Sequence, residues 1–340
     1  MGVARQVSEE DMNVWHCRQR AIADFDRLMS DQRHGFASPA PAGTLRGIDV
    51  MPWRLVRQKM SRATIMHHGA RKKLPDFVNP KTFYEKLVVS KFFAPIPMPS
   101  PADKLGLASF CQVDHPQFAG VFATKWSGQT PITAKLLQSL DLLPGRYFAK
   151  SNAGSGTNFA FEMPVSDDVL AKLEAVTARW LEIEHGVKAG EWWYGLIRPQ
   201  IFIEADMSEV GASLTDWKFH IGAGRTLAVQ VDEDRSTNHR QLMFDRDFNY
   251  IPESLFFKTG EPFERPPFYE AMRDIAEQIA KPFQFARVDL YHTQGCIYLG
   301  EITLAPMGGR RLPISARLDQ MMGDAWDGAF FNRRSTAAPG

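Results

Sequence analysis

The densest chemical signal lies near the end of the chain. The stretch FQFARVDLYHTQGCIYLGEITL reads as two strands, 283–292 and 295–304, turning around Gly295. If Asp289 sits opposite Glu301, the same register sets Arg287 against Thr303 on that face. Val288 then meets Ile302, and Leu290 meets Gly300, on an apolar reverse face, with a loop of about three to five residues. Two adjacent carboxylates repel unless a cation lies between them. A hard ion such as Mg²⁺ fits, and it usually arrives with substrate phosphates. Arg287 is placed to hold a phosphate oxygen. A merely exposed charged strand is disfavoured, because YLGEITLAP is too apolar for a free edge.

Lys150 ends a strand (146–151) and is followed by SNAGSGT (151–157), then by a second strand (158–163). The order differs from a Walker A loop, where lysine follows the glycines and a helix opens. This spacing describes a flap whose backbone N–H groups can close over phosphates at Ser151, Gly154, Ser155 and Gly156. A polar hairpin turn is the plainer alternative. IFIEADM (201–207) ends a strand with Glu204, and DWKF puts Asp216 and Lys218 on one face with Trp217 and Phe219 on the other. VDEDRSTNHR (231–240) crowds Asp232, Asp234, Arg235, Asn238, His239 and Arg240 together. That density suggests an anion pocket, and Asp232-x-Asp234 spells a short metal–diphosphate motif found in glycosyltransferases.

The elements that must carry these groups are mixed. Helices are expected at 11–29, at 52–68 behind Pro52, and at 79–93 with a Thr82/Glu85 capping box. Others are expected at 102–110 behind Asp103, at 132–143, after Ser166 and at 268–281. DWKFHIGAGRTLAVQVDED (216–234) reads as a hairpin turning at Gly222–Gly224, and the tail after 309 has weak signals. Residues 46–91 hold eleven Lys/Arg against three Asp/Glu. They read as a solvated basic face or, more sharply, as a dock for an anionic glycan or the inner membrane surface. His16, His67, His68 and the Trp192–Trp193 pair read as structural.

Composition bounds the rest. The 340 residues are 44% hydrophobic and 23% charged with net charge +1, an ordinary globular make-up that disfavours a nucleic-acid coat. Cys17, Cys111 and Cys296 fit no C-x-x-C or disulfide framework, so a reducing, cytoplasmic home is expected. No run of eighteen apolar residues occurs, and MGVARQVSEEDMNVW lacks a secretory core.

In order, PKTFYEKL, ADKLGLASF, FAKSNAGSGTNF, IRPQIFIEADM, DWKFHIGAGRTLAVQVDEDRSTNHR, FDRDFNYIP and ARVDLYHTQGCIYLGEIT resemble the ATP-grasp fold. Within it they resemble the TupA-like family of teichuronopeptide biosynthesis. The resemblance runs from 79 to 309. It implies an α+β fold of two subdomains clasping ATP, with a helical N-terminal region. The expected units are a 1–45 extension, a basic helical segment at 46–102 and a first ATP-grasp part at 103–200. A C-terminal subdomain at 201–320 and a tail at 321–340 follow.

The resemblance implies that Lys104 and Lys150 reach ATP phosphates under the 151–157 flap. Glu204, Ala205 and Met207 would form the adenine hinge, and Asp216 would contact ribose. Lys218, Arg235 and Arg287 would face phosphates or an acyl phosphate, and Asp289 and Glu301 would hold Mg²⁺. Thr303 departs from the family's usual Asn, and Glu204-Ala205-Asp206 departs from its usual hinge. The implied activity joins a carboxylate to an amine through an acyl phosphate, in cell-surface polysaccharide or glycopeptide synthesis. Alternatives are a glycosyltransferase using Asp232-x-Asp234 and a non-catalytic nucleotide-binding protein.

Overall fold

The computed structural model describes residues 9–30, 36, 38–208, 214–233, 239–327 and 330–331. Its scaffold is a mostly antiparallel sheet. Phe285–Thr293 pairs on one side with Cys296–Thr303 and on the other with Asp216–Gly222, which continues to Arg225–Glu233 and Arg240–Phe244. Phe118–Val121 adds a parallel edge beside Cys296–Thr303, and the short strands Tyr250–Ile251 and Lys258–Thr259 finish the other edge. Alternation divides the sheet's faces. Trp217, Phe219, Ile221, Val229, Val231, Val288, Leu290 and Ile302 point one way, into a core shared with Met272, Ile275 and Ile279 of the helix Tyr269–Ala280.

A second sheet has the order Thr124–Gly128, Ile201–Ala205, Gly145–Ser151, Asn158–Met163. The helix Asp167–Glu182 backs it through Leu173 and Trp180. The loop 152–157 therefore joins two strands, as the flap reading requires. The two sheets face one another across a cleft lined by residues of both.

The helix Phe83–Phe93 is buried along its whole length. Its sequence is apolar nearly all round, the pattern of a central rather than a surface helix. Glu85 completes the capping box with Thr82 and also accepts the N–H groups of Asp76 and Lys81. Asp319 accepts the Tyr84 N–H at 2.8 Å. Lys86 donates to the carbonyls of Gly323 and Trp326, and Lys91 to those of Ala189 and Gly308. Each buried charge thus ties down backbone groups of neighbouring segments. The basic stretch is only in part a solvated face: Arg46 and Arg71 bind partly buried groups, and Arg57 and Lys59 bind other segments at the surface. Arg54, Arg62, Lys72, Lys73 and Lys81 are exposed.

Four readings are corrected. The final hairpin turns through the two residues Gln294 and Gly295, both at positive φ, not through a longer loop. A bulge after Asp289 then pairs Leu290 with Leu299 instead of Gly300. The expected helix after Asp103 is a 3₁₀ turn, Lys104–Phe110. A helix capped by Ser315, Ala316–Ala325, crosses the expected tail boundary and packs Leu318 and Met322 into the core beside the central helix. Among the described residues no helix is long and apolar enough to cross a membrane.

Candidate functional site

The polar face of the large sheet builds one wall of the cleft. Asp289 stands opposite Glu301 on one side and Lys218 on the other, and Lys218 stands opposite Gln230. One step along, Asp216 faces Asp232, and Arg287 lies between Thr303 and His220. Strand alternation alone brings these groups together, since each is two residues from the next on its own strand.

Each charge has a partner. Arg287 grips Asp289 with two hydrogen bonds of 2.6 Å. Lys218 lies 2.9 Å from Asp216 and 3.0 Å from Asp232, and His239 lies 3.2 Å from Asp232. Thr303 donates its hydroxyl to Glu301 at 2.8 Å, so the residue in the place of the family's Asn orients the carboxylate. Lys104 reaches within 3.8 Å of Glu301 while donating to the Gly154 carbonyl at 2.6 Å.

The fields on the two acids differ. Burial pushes the Asp289 carboxyl up to about 6, with Arg287 and Lys218 opposing the rise. Burial also acts to raise Glu301, but Lys104, Arg287 and the Thr303 hydroxyl together hold it below the usual range. His220, wholly buried behind Arg287 and bonded to Gln230, is pushed down to about 3 by burial and stays neutral.

The small sheet supplies the facing wall. Lys150 donates to Glu204 at 2.5 Å. The flap's base is stapled by Asn152, fully buried, whose amide binds Asp103, the Arg198 carbonyl and the Gln200 N–H. Gly154 and Gly156 have φ of +81° and +73°, and a Cβ at Gly154 would lie 2.1 Å from His185 Nδ1. Glycine is therefore required there on both conformational and steric grounds.

Two chambers make up the cleft. One, of about 780 Å³, is lined by Phe148, Ala205, Met207, Trp217, Phe268 and Tyr291 among others. Thr293 donates to the Met207 carbonyl at 2.9 Å, which ties the expected hinge to the large sheet. The second, of about 550 Å³, holds Lys104, Gly154, Ser155, Gly156, Lys218, Arg287, Asp289 and Glu301. Lys150, Glu204, Asp216 and Tyr291 line both, so the chambers are continuous. An aromatic, hinge-bounded chamber opening into a cation-rich one suits a base followed by a phosphate chain.

Of the residues singled out from the sequence, Ser151 is buried at the flap's base, outside both chambers' linings. Arg235 and Asp234 lie outside the described residues. Sequence reasoning missed Tyr291 and Gln230, although alternation from Asp289 and the partner strand of Lys218 pointed to them. It also missed Phe122, His185, Glu191, Tyr194 and Arg310. These come from loops and turns, where no periodicity helps.

The donor set can be weighed against a metal. Among the described residues, no cluster of three His, Cys, Asp or Glu side chains is arranged to hold an ion. Asp289 and Glu301 are two hard-oxygen donors on one face, which suits a Mg²⁺ that keeps water or phosphate oxygens as its other ligands.

The TupA-like ATP-grasp family model matches residues 138–327, more than half of the chain, and the protein belongs to that family. ATP-grasp proteins as a class are ligases that use ATP with Mg²⁺. No curated protein matches the sequence. Among solved structures, the ATP-grasp ligase PsnB complexed with a minimal precursor is 11% identical, covering 66% of this chain and 60% of its own (TM-score 0.36). The D-alanine–D-alanine ligase of Bacillus anthracis is 14% identical over 94% of both chains (TM-score 0.41). The macrocyclase MdnC bound with precursor peptide MdnA from Microcystis aeruginosa is 12% identical over 77% of this chain and 71% of its own (TM-score 0.32). The chain thus spans about 60% of the length of PsnB.

Proposed function

We propose that the protein is an ATP-dependent carboxylate–amine ligase that forms an amide through an acyl phosphate. The observation that carries this reading is the row Glu301, Asp289 and Lys218, set in the same chamber as the flap's Gly154 and Lys150.

Lys104, Lys150 and Lys218 are point charges for the phosphate chain, each held in place by a carboxylate. Asp289 and Glu301 would hold Mg²⁺, which would supply charge neutralisation on the phosphates when bound. The substrate carboxylate attacks the γ-phosphorus, and Arg287 takes up charge spreading onto the phosphoryl oxygens. The flap keeps water from the acyl phosphate, which otherwise hydrolyses. An amine then displaces phosphate. Ala205 and Met207 with Glu204 bound the base, and Asp216 is the acid on the ribose side; Arg235 is assigned to the phosphates by family resemblance alone.

The carboxylate donor we assign is a uronic acid of a cell-surface polysaccharide or glycopeptide, with an amino acid as amine. The exposed Arg54, Arg62, Lys72, Lys73 and Lys81 are the groups left to meet an anionic glycan or the inner face of a membrane. The glycosyltransferase alternative is weakened because Asp232 is engaged by both Lys218 and His239.

The test is ADP release from ATP and Mg²⁺ with glucuronate or galacturonate and with glycine, glutamate or lysine. Release that needs both a carboxylate and an amine is expected. Stabilisation against heat by UDP-sugars but not by ATP would overturn the reading in favour of the transferase. Nucleotide binding without any turnover would favour a non-catalytic protein.

A further inference from the structure

The wall of the phosphate chamber also carries His185, Glu191, Tyr194, Met307, Gly308 and Arg310, with Glu301 close enough for its charge to act on Glu191. None of these has a part in the nucleotide handling above.

This part of the wall is tied together from three segments. Lys91, from the central helix, donates to the Ala189 carbonyl at 2.6 Å and to the Gly308 carbonyl at 2.5 Å. It thereby joins the loop that carries Glu191 to the loop that leaves the metal-side hairpin. Trp192, next to Glu191, donates its indole N–H to the Lys91 carbonyl at 2.9 Å. Gly308 sits at φ +64°, and a Cβ there would lie 3.1 Å from Glu191 Oε2 and 2.9 Å from Ala189 Cβ. The glycine leaves room for the carboxylate. Lys91, Arg310 and Glu301 are the charges that act on Glu191.

Amide formation needs such a group. An amine that attacks an acyl phosphate must shed a proton, and the acceptor must lie on the phosphoryl side of the cleft. Glu301 is engaged by Thr303 and Lys104, and Asp289 by Arg287. Burial raises the Glu191 carboxyl from its usual value against the pull of Lys91 and Arg310, which strengthens it as a proton acceptor.

We infer that Glu191 is the catalytic carboxylate of the amine side, holding the incoming nitrogen and receiving its proton, with Lys91 as its positioning residue. This rests on the ligase reading. The nitrogen lone pair forms the C–N bond. The bond from the carbonyl carbon to the phosphate oxygen breaks, and its electron pair leaves on inorganic phosphate. The N–H proton passes to Glu191 and then to water.

Hydroxylamine separates the two claims, because it is largely unprotonated at neutral pH and attacks acyl phosphates without a base. Wild type, Glu191→Gln, Glu191→Asp and Lys91→Met are assayed with ATP, Mg²⁺ and the uronic acids above. Each is run once with an amino acid and once with hydroxylamine. Glu191→Gln is expected to keep hydroxamate formation while losing about 10²-fold or more in amide formation. Glu191→Asp, which keeps a carboxylate, should recover part of that loss. Lys91→Met should raise KM for the amine more than it lowers kcat, with hydroxamate formation retained. Equal losses with both nucleophiles, or no loss of amide formation, would overturn the role of Glu191 and leave the ligase reading standing. Wild-type protein that gives neither hydroxamate nor ADP would overturn the ligase reading, and this assignment with it.

Discussion

The cleft and the central helix both hold lysines in place, and they do so in different ways. Lys150 and Lys218 rest on carboxylates that share their chamber, and Lys104 lies 3.8 Å from Glu301 while donating to the Gly154 carbonyl. Lys86 and Lys91 rest on backbone carbonyls of elements far along the chain. A carboxylate partner can be exchanged for a phosphate, since both are anions of similar reach. A buried carbonyl has no such exchange open to it and is left unsatisfied when its lysine is removed. Under the proposed function the first group is free to turn to a ligand's phosphates, whereas the second ties together elements of the fold.

The sharpest break in this comparison comes from the acids. Asp289→Asn and Glu301→Gln should each lower ATP turnover by about 10²–10³-fold, with the far-UV circular dichroism spectrum unchanged. Turnover within a few-fold of wild type would remove these acids from the site.

Next in size is a pair of lysine substitutions. Lys86→Met should cost about 2–3 kcal/mol in urea unfolding, because the Trp326 carbonyl loses its donor and the Gly323 carbonyl keeps only the Trp326 N–H. Nucleotide affinity should be unaffected. Lys104→Met should do the reverse, weakening ATP–Mg²⁺ binding about tenfold while changing stability by under about 1 kcal/mol. Matching profiles for the two variants would dissolve the distinction.

A pH test sharpens the structural side. Burial pushes Asp319 from 3.8 up to about 6, against the Tyr84 N–H and Arg71, with Glu85 and Lys73 also nearby. The folded form thus binds this proton more tightly than the unfolded form. The stability so gained is full below pH 3.8 and is lost as pH rises through about 6. An asparagine side chain in its place cannot ionise and can still accept from Tyr84. Asp319→Asn should therefore match wild type near pH 4 and exceed it by about 1–2 kcal/mol at pH 7.5, read by urea unfolding at each pH.

The smallest effect is expected on the surface. Changing Arg54, Arg62, Lys72, Lys73 and Lys81 together to Gln should alter stability by under about 0.5 kcal/mol per site. If that face meets an anionic surface, the change should abolish salt-sensitive binding to phosphatidylglycerol vesicles. Unaltered binding would end that assignment.

The site was more legible in the sequence than the support beneath it. A strand repeats every two residues, so Arg287, Asp289, Glu301 and Thr303 fell on one face from their numbers alone. The bulge at Gly300 was hidden from that arithmetic, although a glycine inside a strand is its usual sign. A Cβ there would lie 2.3 Å from the Tyr291 ring, which explains both the glycine and the slip in register. The segment 46–91 was harder because charge counts do not reveal direction. FYEKLVVSKFF is apolar nearly all round, a sign of burial that the count of its lysines obscured. Leu318 and Met322 behind Ser315 gave a helix at the right spacing that went unread in the tail. Glu191 and Arg310 had no periodic neighbours, and only tertiary folding brings them to Glu301.

Calorimetric titration of a non-hydrolysable ATP analogue, with and without Mg²⁺, tests the central claim most directly. Wild type should bind the analogue much more tightly when Mg²⁺ is present, and the Asp289→Asn/Glu301→Gln double variant should show no such gain. An equal Mg²⁺-dependent gain in both proteins would contradict the assignment of the hairpin carboxylates to the metal–phosphate site.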